Sequence, residues 1–353
     1  MRKRRLLITL LVHAGVLLLL AAVCLIARGV LAGTQQSQRE AERWAGESGQ
    51  PFVQYSCLFT RDGRKELESV YELRQKYRDA FSEADLEGDP EKLFCDAWST
   101  TGSIRVDSAH GYAQAAVTAV GGSFFDFHPL PLRSGSYLRQ GDLMKDRVML
   151  DEMLAWILFG SPDVAGMEVE IDGMPYQIAG VVSRETDKAS GKFAEAGPML
   201  YIPYETWEKL AEGGIDCYEA VLPEPVEGYA QTLLETNYPV GDGVLQRNTD
   251  RYSLGASLRL MRAFGTRGAR TSPAVLPYWE NAARYVEDWC ALLTFLALLL
   301  LIFPALCAAA AFVWGWILLR KVLVKYLPRL FSKAGDGLYA LSGRLHRRKS
   351  KED

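Results

Sequence analysis

Hydrophobic and polar positions divide the chain into three regimes. No charged residue occurs from Leu6 to Ala27, and a second uncharged run extends from Trp289 to Leu319. A helix needs about 20 apolar residues to cross the hydrocarbon core, so each run predicts a membrane span. The first is longer than the roughly 7–15-residue apolar stretch of a signal peptide and reads as an uncleaved helix; on the alternative reading, Val30-Leu31-Ala32 supplies a cleavage site. The second run is long for one crossing and too short for two, and Pro304 near its centre favours a kink.

Between the runs the pattern changes character. TQQSQREAERWAGESG (34–49) reads as a polar helical continuation ending near Gly46–Gly49, and PFVQYSCLFT (51–60) alternates like a strand. Leu67, Val70, Tyr71, Tyr77 and Phe81 form a helical stripe with a charged opposite face. LFCDAWST (93–100), AQAAVTAV (113–120) and MLYIPY (199–204) predict strands, and Leu150, Met153, Leu154, Ile157 and Leu158 predict a short helix ended by Gly160-Ser161-Pro162. In MEVEIDGMPYQIAGVV (167–182) the Asp172-Gly173 step between alternating runs predicts a hairpin. The segments 183–197 and 223–277 read as irregular. YWENAARYVEDWCALL (278–293) predicts a helix running unbroken into the second span, with Trp279, Ala283, Val286 and Cys290 on one face and Glu280–Arg284 and Arg284–Asp288 pairs on the polar side. Strands mixed with helices predict an α+β extracytoplasmic domain between two transmembrane α-helices.

Charge orients this arrangement. The net charge of −3 is an average of unlike parts. Residues 1–32 carry five basic residues and no acid, and residues 320–353 carry ten basic and three acidic residues. Of the chain's 40 basic and 43 acidic residues, 25 and 40 therefore lie between those ends. Basic flanks stay in the cytoplasm, so both termini are expected there, against an anionic inner leaflet, with residues 33–290 outside. The expected order is a cytoplasmic N-terminus (1–5), first span (6–32), helical stalk (33–50), core domain (51–276), stalk helix (277–290), second span (291–319) and basic tail (320–353), where Leu338, Leu341 and Leu345 suit a short surface helix. An acidic middle disfavours nucleic acid.

Catalytic chemistry is not legible. The chain has no P-loop, G-x-S-x-G, H-E-x-x-H or C-x-x-C motif. Its four histidines are dispersed; His128 precedes Pro129, has no Cys or His neighbour, and reads as an incidental imidazole satisfied by backbone. No catalytic, cofactor or metal residue is assigned. Cys57, Cys95 and Cys217 lie outside the membrane, an odd number; Cys57–Cys95 is the candidate disulfide because both fall in strand-like runs, with single buried thiols as the alternative.

The ordered blocks FFDFHPLPLRSG, SYLRQGDL, VMLDEMLAWILFGSPDVAGMEVEIDGMPYQIAGVV and LYIPY, spread over residues 124–204, resemble the periplasmic core domain of MacB-type ABC transporter permeases, the FtsX-like family. The resemblance implies turn positions at Gly135, Gly141 and Asp142, a helix start at Asp151, hairpin glycines at Gly166 and Gly173, and Gly180 before the Val-Val strand. It also implies a bacterial cytoplasmic-membrane location and a permease-like subunit that couples a separate ABC ATPase to an extracytoplasmic domain, with a further permease chain as partner. Such permeases have three spans after the core domain, and MacB itself carries a fused ATPase domain. This chain has one such span and no ATPase motif, so the alternative is a membrane-anchored binding, sensing or scaffold protein built on the same domain.

Overall fold

The computed structural model describes residues 2–46, 50–142, 144–262 and 273–349. The chain opens with α1 (Arg2–Gly33), followed by a short 3-10 turn, α2 (Glu40–Ala45), β1 (Phe52–Leu58) and α3 (Leu67–Glu83). A long hairpin follows, β2 (Cys95–Ser108) and β3 (Gly111–Gly122), then α4 (Phe124–Phe127), β4 (Leu132–Gly135), β5 (Arg147–Asp151) and α5 (Glu152–Phe159). Next come β6 (Glu168–Ile171), β7 (Met174–Val182), α6 (Lys188–Phe193), β8 (Met199–Pro203) and α7 (Tyr204–Leu210). The remainder comprises β9 (Cys217–Pro223), α8 (Tyr229–Asn237), β10 (Val244–Arg247), α9 (Leu254–Arg262) and α10 (Tyr278–Lys349).

One mixed sheet organises these pieces, in the order β10-β1-β9-β2-β3-β8-β5-β7-β4, with β6 pairing with β2 and β7 beside this path. The pairs β3–β8 and β5–β7 are parallel and the others antiparallel. Because strand side chains alternate between faces, the sheet has two unlike surfaces. One carries Tyr55, Trp98, Val117, Leu200 and Tyr218 and is covered by α3, α5, α7 and α8. The other carries Leu58, Ala97, Val120, Tyr201 and Val221 and is covered by α2, α4 and the start of α10 through Ala41, Phe124, Phe127 and Trp279.

The hairpin at 167–182 forms with Asp172 and Gly173 both at positive φ, 52° and 74°, the geometry of a type I′ turn that Asp-Gly favours. Two sequence expectations fail here for identifiable reasons. The helix read from Leu150 begins at Glu152, because Val148 to Leu150 belong to β5. Asp151 caps that helix and sets its rotation, so Leu154, Ala155 and Leu158 face the core while Met153, Trp156 and Ile157 are exposed. The segments read as irregular contain α6, β9 in part, α8, β10 and α9, each short enough to leave little periodic signal.

The Cys57–Cys95 disulfide is also corrected. Both cysteines are free. They lie on β1 and β2, which flank β9, with Cys57 opposite Tyr218 and Cys95 opposite Val221. Two strand spacings separate them by about 9–10 Å before any offset along the strands is added, beyond the reach of about 7 Å that a disulfide tolerates. They also face opposite surfaces.

α1 and α10 are the two helices among the described residues long and apolar enough to cross a membrane, over Arg4–Gly33 and Tyr278–Val324. Leu338, Leu341 and Leu345 fall within α10 rather than in a separate helix, and Gly49 of the expected stalk lies outside the described residues. The chain divides into two compact units, one of Ala27–Thr294 and one of Met1–Ile26 with Phe295–Asp353. The domain-proximal ends of both long helices therefore belong to the same unit as the sheet.

Candidate functional site

Gln54 and Ser56 on β1 and Glu219 on β9 project from the face covered by α2, α4 and α10, where alternation in an antiparallel sheet places solvent-facing residues. Yet all three are buried. A buried polar group must find partners or cost free energy, and here the partners come from outside the sheet. Gln54 Oε1 accepts from the Glu40 backbone N–H at 2.9 Å, and its Nε2 donates to the Ser37 carbonyl at 2.8 Å, which fastens the segment after α1 onto β1. Asn248 donates to Ser56 Oγ at 2.7 Å, and Ser56 donates to Glu219 Oε1 at 3.1 Å.

Glu219 Oε2 lies 2.6 Å from Nε2 of His128, and both side chains are almost fully buried. The imidazole is packed between Phe124 and Trp279, whose ring centroids lie 4.5 and 4.4 Å away. His128 is thus an integral part of the junction rather than incidental, and its partner is a carboxylate rather than backbone. The Glu219 bond joins the β3–β4 connection to β9, and the packing on Trp279 joins it to the first turn of α10.

Arg251 is the centre of the arrangement and is fully buried. Its guanidinium donates to Glu280 at 2.7 and 2.9 Å, to Glu287 at 3.2 Å and to Gln38 at 2.9 Å. Arg284 donates to Glu280 Oε1, which Arg251 also holds, at 2.7 Å. Burial opposes the charge on Arg251, but the Glu280 and Glu287 carboxylates hold its pKa well above the ordinary value. Among the described residues the cluster sets two cations, Arg251 and Arg284, against two anions, Glu280 and Glu287. The Glu280–Arg284 pair therefore faces the domain, not solvent. One residue, Arg251, ties the segment after α1, the loop after β10 and two turns of α10 together.

Glu40 flanks this core. Burial pushes its carboxyl up to about 7, aided by Asp126 and opposed by Arg43, which sits 2.6 Å away and also donates to the Asp126 carbonyl. The chemistry these residues offer is geometrically fixed, charge-assisted bonding between elements. Among the described residues no group of acidic, Cys or His side chains is arranged to hold a metal.

The residues singled out by motif lie elsewhere. Gly135 and Gly180 are register partners on β4 and β7. At Gly135 φ is +75°, and a Cβ there would collide with the Ala179 carbonyl; at Gly180 it would meet the Ser134 and Ser136 carbonyls at 2.7 Å. Asp151 Oδ1 accepts the Leu154 N–H at 2.8 Å and the Met199 N–H at 3.1 Å, and Arg184 grips Oδ2. Gly166 donates to the Ile178 carbonyl at 2.8 Å, and the Asp142 N–H donates to Arg139 O at 3.1 Å. Gly141 has open space where a Cβ would stand. These positions shape the far side of the sheet and do not enter the junction. Sequence reasoning missed Gln38, Gln54, Glu219 and Arg251. The available signal was Gln54, Ser56 and Glu219 alternating within otherwise apolar strands.

Comparison with known proteins adds the family. The model of the MacB-like periplasmic core domain matches residues 9–233. A macrolide export ATP-binding/permease protein MacB from Aggregatibacter actinomycetemcomitans is 28% identical over 118 residues, which cover 33% of this chain and 18% of the relative. The match thus spans under a fifth of that relative's length. Among solved structures, the periplasmic region of MacB from Actinobacillus actinomycetemcomitans is similar with a TM-score of 0.41 at 15% identity, covering 61% of this chain and 94% of that one. The extracellular domain of the noncanonic ABC-type transporter YknZ from Gram-positive bacteria gives a TM-score of 0.38 at 13% identity, covering 56% and 98%. With its family match extending over more than half its length, the chain belongs to the MacB-like periplasmic core domain family.

Proposed function

We propose that the chain is a permease-like subunit of an ABC-type transport or mechanotransmission system, in which a separate ATPase moves the membrane helices and the extracytoplasmic sheet receives that motion. Its own role is mechanical rather than catalytic. The supporting observation is Arg251, which binds the segment after α1, the loop after β10 and α10 in one buried cluster. Because the ends of both long helices fold as part of the sheet's unit, displacement of either helix end must strain that cluster or carry the sheet with it. The basic flanks support cytoplasmic termini in a bacterial cytoplasmic membrane, with the sheet outside and a further permease chain supplying additional spans.

The test is isolation of the tagged full chain from its own membranes in mild detergent. An ABC ATPase should co-purify, and its nucleotide turnover should change when Arg251→Leu/Glu287→Gln loosens the junction. Recovery of the chain without any ATPase, together with capture of a partner by the extracytoplasmic domain alone, would instead establish a membrane-anchored binding or scaffold role. The observation that favours this second reading is the pair of spanning-length helices among the described residues, enough to anchor a domain.

A further inference from the structure

The helix α9, LGASLRLMR, is amphipathic in the wrong sense for a water-soluble domain. Its buried residue is Ser257, while Leu254 and Leu258 are 52% and 44% exposed. With half-buried Met261 these leucines follow i, i+4, i+7 and form one stripe on the outer surface. Exposed Arg262 follows the stripe, and Arg259 is exposed at the rim of the hollow against α10. Scattered exposed leucines need no explanation, but an aligned apolar stripe flanked by arginines does.

Its position supplies one. Tyr252, two residues before α9, accepts a hydrogen bond from Arg28 near the end of α1 and donates its hydroxyl to the Ala283 carbonyl of α10 at 3.4 Å. Ser257, Arg259 and Leu260 line the same hollow as Glu287 and Cys290 of α10. Asp288 is the last charge before the apolar run, and Trp289 and Leu292 begin its exposed apolar belt. α9 therefore lies beside the stretch of α10 where the apolar run begins.

We propose that α9 is an interfacial helix lying in the extracytoplasmic leaflet, with Leu254, Leu258 and Met261 among the acyl chains and Arg259 and Arg262 at the lipid phosphates. The inference rests on the reading of α10 as a membrane span, and it gives the domain a third attachment to the bilayer. Such a helix resists tilting of the domain, because rocking it away from the surface exposes the leucines to water.

The experiment places the photoprobe p-benzoylphenylalanine singly at 258, at 112 and at 312 of the full chain in nanodiscs of phosphatidylethanolamine and phosphatidylglycerol. Tyr112 is an exposed residue at the β2–β3 turn, and Phe312 is exposed within the α10 span. Lipid adducts at 258 and 312 with none at 112 are expected. Lipid adducts at 312 alone, or a protein adduct at 258, overturn the proposal and leave the span reading intact. No lipid adduct at either site overturns both. With the probe at 261, Leu254→Glu/Leu258→Glu should lower the lipid-adduct yield, since each leucine shifts the engaged-to-free ratio on the order of tenfold. An unchanged yield would also overturn the proposal. Both leucines are exposed, so the substitutions leave the fold undisturbed.

Discussion

Replacing Arg251 by leucine isolates the mechanical argument. The guanidinium is fully buried and is the shared partner of Glu280, Glu287 and Gln38. Leucine fills part of the volume but leaves Glu287 without this cation and Glu280 with Arg284 alone. Removing one member of a buried ionic cluster costs about 3–5 kcal/mol, because the carboxylates lose their shared cation in a low-dielectric site. For a unit of this size, about 3 °C of melting temperature accompanies each kcal/mol, so the transition should fall by roughly 10 °C. The assay is thermal unfolding of the full chain in detergent, followed by tryptophan fluorescence, since Trp98 and Trp279 are buried on opposite faces of the sheet. The decisive comparison is Arg251→Leu/Glu287→Gln. That pair of changes leaves Glu280 and Arg284 as a balanced couple and should recover about half of the lost stability or more. A single variant within about 1 kcal/mol of the parent, or a double variant no better than the single, would refute the buried-cluster reasoning.

Further outcomes follow from the same structure. The Glu40 carboxyl, raised by burial to about 7 from 4.5, binds its proton more tightly folded than unfolded. Its contribution should therefore fall as pH rises from about 4.5 to about 7 and then level off; Glu40→Gln should flatten that part of the stability profile measured by urea unfolding. Denatured, non-reduced chain should alkylate at all six cysteines, whereas in native buffer at pH 8 Cys57 and Cys95 should stay unlabelled, because burial raises both thiols, Cys95 to about 12. Mass spectrometry reads both results. Gly135→Ala should cost roughly 2 kcal/mol or more from positive φ and the clash with the Ala179 carbonyl, while Gly141→Ala should be close to neutral; chemical denaturation of the two variants checks the contrast.

Long, uniform patterns were legible in the sequence. The two long apolar helices, the α3 stripe and the Asp172-Gly173 hairpin each rest on a local rule that tertiary packing left in force. What sequence could not show is where polar groups become internal. Gln54, Ser56 and Glu219 occupy alternate strand positions, the pattern of a wetted face, and only the arrival of α2 and α10 from the two ends of the domain buries them. Glu280 and Arg284 resemble a surface i,i+4 pair until Arg251 is placed between them and the sheet. The rotation of α5 was misjudged because its stripe began inside a strand. The supposed disulfide failed because neighbouring strand-like runs in sequence are separated in space by β9.

The strand order also dictates a timetable. On the proposed topology β1 leaves the membrane early in synthesis, yet its partners are β9 and β10, with Tyr55 opposite Ala220 and Arg247. At roughly 5–20 residues per second the ribosome needs on the order of 10–30 s to supply those strands. During that interval β1 has two open edges on the far side of the membrane. The sheet closes when β10 arrives, and Arg251 and α10 follow within the next few dozen residues. Completion of the domain and insertion of the second span are consequently nearly one event, and a chain stalled before β9 would offer β1 as an unprotected aggregation edge.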